Sequence, residues 1–121
     1  MSCFVKGAMC FHTRHYREAI RELTRACALS PRELNESSES MLGQSYLAVG
    51  DVQKAHAHLS RAYEALRKKA RAFMPSLRRW SSRRILADLL PHYVGMLKKM
   101  GETQRAMEAE AEMATFPPRK R

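Results

Sequence analysis

Acidic residues are scarce in this chain: 12 Asp and Glu stand against 22 Lys and Arg, leaving a net charge of +10. A charge of that size repels itself within a fold and attracts acidic partners. Nucleic acid, acidic protein segments and anionic membrane surfaces are the classes it admits. Aromatic residues are also few, at 7%, so a core has to come from Leu, Ala and Met. The 8 methionines suit a core or contact surface that adapts its shape. No stretch approaches the roughly 18 consecutive apolar residues of a membrane-spanning helix, so no membrane insertion is expected. The 3 cysteines are odd in number, and Lys6, Arg14 and Arg17 interrupt the early apolar runs, so no targeting leader is read. Free thiols in a reducing, intracellular compartment are the expectation, either cytoplasmic or within a large cytoskeletal or organellar assembly.

Glycine and proline, 5 of each, sit mostly where apolar periodicity breaks. Between the breaks, three-four spacing predicts six helices in three antiparallel pairs. The first runs over 3–12 and the second over 16–29, with Tyr16, Ala19, Ile20, Leu23, Ala26 and Cys27 as its apolar stripe. Ser30-Pro31-Arg32-Glu33 reads as a capping box that opens the third helix. That helix ends near Val49, with Met41, Leu42, Tyr46 and Leu47 inward. Gly50 ends it and Asp51 caps the next. The fourth carries Val52, Ala55, His56, Leu59, Ala62, Tyr63, Leu66, Ala70 and Phe73 on one face and stops near Met74-Pro75. The fifth begins at Ser76 or Ser81 and ends at Met100, with Leu86, Leu89, Leu90, Tyr93, Leu97 and Met100 inward and Pro91 kinking or splitting it. The sixth covers about 103–114.

The pairs repeat. Gly7 and Gly43 stand 36 residues apart, and so do Ala19 and Ala55, Leu23 and Leu59, and Ala26 and Ala62. Self-similarity near 34 residues marks stacked helical pairs. The pattern resembles the tetratricopeptide repeat family: a small residue where the two helices cross (Gly7, Gly43), a turn glycine (Gly50, Gly101), small residues in the second helix (Ala19, Ala55, Ala106, then Ala26 and Ala62), and a repeat-ending Pro31. Tyr16 and Tyr46 fall at repeat-defining positions as well. Arg14 stands at the turn position of the first repeat. In the third repeat, Val94 and Glu110 replace the small and apolar residues. The resemblance implies an all-α, right-handed stack of helix pairs: a single domain over 1–115, with repeats 1–30, 31–73 and 76–115 and a basic tail 116–121. It also implies a scaffold. The inner helices offer Lys6, Asn35, Gln44 and Lys98, too scattered for a clamp on a chain terminus.

The most unusual stretch is Arg67 to Arg84. It holds Arg67, Lys68, Lys69, Arg71, Arg78, Arg79, Arg83 and Arg84, encloses Trp80, and contains no acidic residue. It reads as a docking surface for carboxylate or phosphate, because the planar arginine fork binds oxyanions at two points. Trp80 can stack on a base or fill a partner's pocket. The plainer alternative is a solvated helix end and connector. A second row, Arg14, Arg17, Arg21 and Arg25, reads as an exposed face salt-bridged to Glu18 and Glu22.

Cys3, Cys10, His12 and His15 do not have the paired short spacings of a zinc site, and His56 and His58 diverge on their helix. Glu108, Glu110 and Glu112 spread around theirs. No metal, cofactor or small-molecule substrate is expected, nor catalysis. The functional expectation is a non-catalytic adaptor, a small basic subunit of a larger intracellular complex with protein partners. The alternative is an RNA-contacting subunit of a ribonucleoprotein particle.

Overall fold

The computed structural model describes residues 3–30, 35–71 and 76–114, apart from the side chains of 70, 71 and 76–82. All regular structure among them is α-helical: α1 Cys3–His12, α2 Tyr16–Leu29, α3 Glu36–Ala48, α4 Val52–Arg71, α5 Ser76–Lys99 and α6 Thr103–Met113. The chain divides into two compact units, residues 1–65 and 66–121. The expected fourth-helix limit at Met74-Pro75, together with Pro31, Phe73 and the tail, lies outside the described residues.

The first unit is built on one contact made twice. A Cβ placed on Gly7 would lie 2.6 Å from Leu23 Cγ, and one placed on Gly43 would lie 2.5 Å from Leu59 Cγ. Each glycine thus opens a notch in the first helix of its pair, and the leucine of the second helix fills it. Both leucines are fully buried, worth about 1.5–3 kcal/mol each by transfer from water. Ala19, Ala26, Ala55 and Ala62 are buried beside them, small enough to let the helices approach. Phe4, Ala8, Cys10, Phe11 and Tyr46 pack around Ala19, Leu23, Met41 and Leu42.

The turns repeat as well. Arg14 N–H donates to Phe11 O (3.1 Å) and His15 N–H to Cys10 O (2.7 Å). Gly50 donates to Leu47 O (3.2 Å) and Asp51 to Tyr46 O (2.9 Å). In the second unit Gly101 donates to Lys98 O (3.2 Å) and Glu102 to Leu97 O (3.0 Å). This is the paired closure that satisfies the last carbonyls of a helix, and it needs a left-handed residue at its centre. Gly50 (φ 92°) and Gly101 (φ 77°) supply it readily, whereas Arg14 adopts it at φ 66°. Asp51 Oδ1 accepts from Lys54 N–H at 3.2 Å, capping α4 as its sequence position predicts.

The opening of α3 differs from the sequence expectation. Ser30 is the extended residue that closes α2, its N–H on Ala26 O. The helix starts at Glu36, with Asn35 as its extended N-cap. Asn35 Oδ1 accepts from Ser37 N–H (3.0 Å) and Ser38 N–H (3.1 Å), and Ser38 Oγ accepts from Asn35 N–H (3.0 Å). A capping box is present, then, but it lies five residues after Ser30 and uses an asparagine and a serine. The expected inward Met41 and Leu42 are buried, yet so are the polar Ser38, Glu39, Ser40 and Ser45. Tyr46 and Leu47 are only half-buried.

In the second unit α5 packs on α6. Leu86, Leu89, Leu90, Tyr93, Val94, Met96 and Leu97 of α5 are buried, as are Ala106 and Ala109 of α6. Met100 departs from expectation and is 39% exposed. Pro91 lies inside α5, which continues through it as one helix, so of the two expected effects, a kink or a split, the split does not occur. Glu110, where the first two hairpins carry leucine, forms an ion pair with Lys98.

Candidate docking surfaces

The basic stretch falls at the end of α4 and the start of α5. Lys68, Lys69 and Arg84 are exposed, and Arg67 and Arg83 are half-buried. Arg67, Lys69, Arg83 and Arg84 each engage another group, so this part of the stretch is not bare charge. The side chains of Arg71, Arg78, Arg79 and Trp80 lie outside the described residues. The helix dipoles treat the two ends differently. Cations in the last turns of α4 face its negative end and are stabilised there, whereas Arg78 and Arg79 open α5 at its positive end with no acidic residue in the first turn.

The arginine row of α2 is not the salt-bridged face expected of it. Arg14, Arg17, Arg21 and Arg25 are all exposed. Among the described residues none forms an ion pair with Glu18 or Glu22. Glu18 Oε2 instead accepts from Cys10 Sγ at 3.9 Å, and Glu22 Oε2 is buried without a hydrogen-bond partner. Two open concavities flank the row. One of about 330 Å³ is lined by Arg14, His15, Tyr16, Arg17, Glu18 and Val49. The other, of about 240 Å³, runs between α1 and α2 and is lined by Lys6, Met9, Cys10, Glu18, Arg21 and Glu22.

One constellation escaped the sequence reading. Glu39, 5% exposed, accepts from Arg61 Nε at 2.8 Å and from Arg61 Nη2 at 3.3 Å. His58 Nδ1 lies 3.5 Å from Glu39 Oε1, the oxygen that also accepts from Arg61 Nη2. The His58 ring stacks on Tyr46 with centroids 5.5 Å apart and planes at 7°, and Lys54 Nζ sits 5.5 Å from the Tyr46 centroid. Burial pushes the Glu39 pKa up, but hydrogen bonds from His58 and Arg61 and their charges outweigh it and hold the carboxyl below 4.5. The signal was present: Glu39 precedes Gly43 by one turn and so shares the face that meets α4. This arrangement ties α3 to α4.

The scattered polar residues that the resemblance assigns to inner helices include three with local duties. Asn35 caps α3, Gln44 Nε2 donates to Ser40 Oγ at 3.0 Å, and Lys98 pairs with Glu110. Cys3, Cys10 and Cys27 form no disulfide. Among the described residues no three His, Cys, Asp or Glu side chains converge as metal ligands, and no helix is long and apolar enough to cross a membrane. Comparison with family models, characterised proteins and solved structures finds no match to this chain.

Proposed function

We propose that this chain is a non-catalytic scaffold of the tetratricopeptide type, a small basic subunit of a larger intracellular assembly, whose Arg67–Arg84 stretch docks an acidic protein surface. The observation that carries this reading is the start of α5. Arg78 and Arg79 occupy the positive end of a helix that has no acid in its first turn, and Arg83 and Arg84 follow within the next turns. The dipole at that end of the helix favours carboxylates supplied by a partner, and guanidiniums bind them at two points. The repeated glycine–leucine notch supports the scaffold half of the reading, because it builds stackable pairs rather than a cleft for chemistry. Trp80 within the run favours a second reading, in which the same stretch lies on RNA phosphates and the indole stacks on a base.

Charge reversal separates these. Arg78→Glu, Arg79→Glu, Arg83→Glu and Arg84→Glu together should abolish co-purification of crosslinked protein partners from cells. Unchanged assembly returns the stretch to a solvated helix end. A salt-sensitive gel shift with RNA at physiological ionic strength, lost in the same variant, moves the function to the RNA reading.

A further inference from the structure

We propose that the outer ridge of α2, with the α1–α2 groove beside it, is a second docking surface whose occupant is an acidic amphipathic helix of a partner protein. It extends the scaffold reading to the first compact unit and rests on residues separate from the Arg67–Arg84 stretch.

Arg17, Arg21 and Arg25 follow one another at intervals of four on α2. They therefore rise about 6 Å apart along a straight ridge. All are exposed, and among the described residues none forms an ion pair with Glu18 or Glu22 of their own helix: Glu18 turns to Cys10, and Glu22, half-buried, has its Oε2 buried without a hydrogen-bond partner. Arg14, in the turn before α2, extends the positive surface and lines the concavity it shares with Arg17. A partner helix with carboxylates at intervals of four has the same 6 Å rise, so its acids meet successive guanidiniums without distortion of either backbone.

The groove supplies the apolar half. Met9 is 52% exposed and lines the groove with Arg21, and Val5, one turn earlier on α1, is 44% exposed. Thus α1 presents an apolar edge beside a cationic ridge, complementary to a helix with leucines flanking its acidic stripe. The remaining wall decides between protein and nucleic acid. Glu18 and Glu22 line the same groove. They repel an unbroken row of phosphates but accept the basic or amide groups that an amphipathic helix carries beside its acids.

The probe is an end-capped, alanine-based helical peptide with Glu at i, i+4 and i+8 and Leu at i+3 and i+7. It is titrated into the ¹⁵N-labelled full chain at physiological salt and read at backbone and arginine Nε resonances. We expect shifts on α1 and α2, at least tenfold weaker binding for Arg17→Glu/Arg21→Glu and for a Gln-substituted peptide, and a change within twofold for Arg83→Glu/Arg84→Glu. The milder Arg17→Gln/Arg21→Gln variant, with unchanged helical circular dichroism, should also weaken binding. No saturable binding, equal binding of the Gln peptide, unchanged affinity in both ridge variants, or poly(U) binding α2 more tightly than the peptide would each overturn the proposal. Loss of binding confined to the Arg83/Arg84 variant overturns it too, while leaving the Arg67–Arg84 reading intact.

Discussion

Leu59 fills the space that a side chain on Gly43 would occupy: a Cβ there would stand 2.5 Å from Leu59 Cγ and 3.1 Å from the Leu59 backbone nitrogen. Because the nitrogen belongs to the α4 backbone, the clash is not relieved by a rotamer change alone. The same holds at Gly7 against Leu23, with distances of 2.6 and 3.1 Å.

The first prediction concerns that notch. Gly43→Ala should lower unfolding free energy by about 1–3 kcal/mol in urea titrations, despite alanine's better helix propensity. Gly95→Ala is the internal control. A Cβ there meets nothing within 4 Å, so the same substitution should stabilise by up to about 1 kcal/mol. If both alanines stabilise, the close crossing of α3 and α4 is not what the notch provides.

Arg14 occupies the left-handed position that glycine takes in the other two turns. Arg14→Gly should therefore stabilise the chain by about 1 kcal/mol, since non-glycine residues bear a steric penalty there. Thermal melts of Arg14→Gly and of the reverse change, Gly50→Arg, should move in opposite directions. A lower melting temperature for Arg14→Gly would show that the guanidinium contributes more than the turn geometry costs.

Glu39 makes stability depend on acid. Its carboxyl is held below its ordinary 4.5 when folded, so its contribution is present above about pH 4.5 and is lost as pH falls through the folded value. Denaturation midpoints measured from pH 6 to pH 3 should fall less steeply in Glu39→Gln than in the parent. Arg61→Ala at neutral pH should cost about 1–3 kcal/mol, because it strips a buried carboxylate of its two-point partner; Arg61 itself is 60% exposed, which keeps the figure below that of a fully buried pair. Identical acid profiles for parent and Glu39→Gln would discount the pair.

Much of the helical plan was legible because its punctuation is local. Cys3–His12 and Tyr16–Leu29 were readable residue by residue, and Gly50 and Gly101 close their turns as their sequence positions imply. The start of α3 falls later than the sequence reading placed it, at Glu36, and Pro31, Arg32 and Glu33 of the expected box lie outside the described residues. Local pattern does not choose between two candidate caps, and the structure begins the helix after Asn35. The Glu39 cluster was missed for the opposite reason: its partners lie 19 and 22 residues away, and polar residues on α3 suggest solvent until α4 is placed against them. The arginine ridge was visible as a ridge. Its lack of neutralisation was not, since spacing alone allowed Glu18 and Glu22 to turn toward it.

The polar burial on α3 also bears on how the chain behaves before it is folded. Ser38, Ser40, Gly43 and Ser45 are four of the seven residues that α3 buries. While a nascent chain waits for α4 to emerge, that surface stays wettable where a leucine-lined helix would be adhesive. Half-built species with less exposed apolar area aggregate less, so a serine-rich α3 is expected to aggregate less before α4 emerges than a leucine-lined helix in its place.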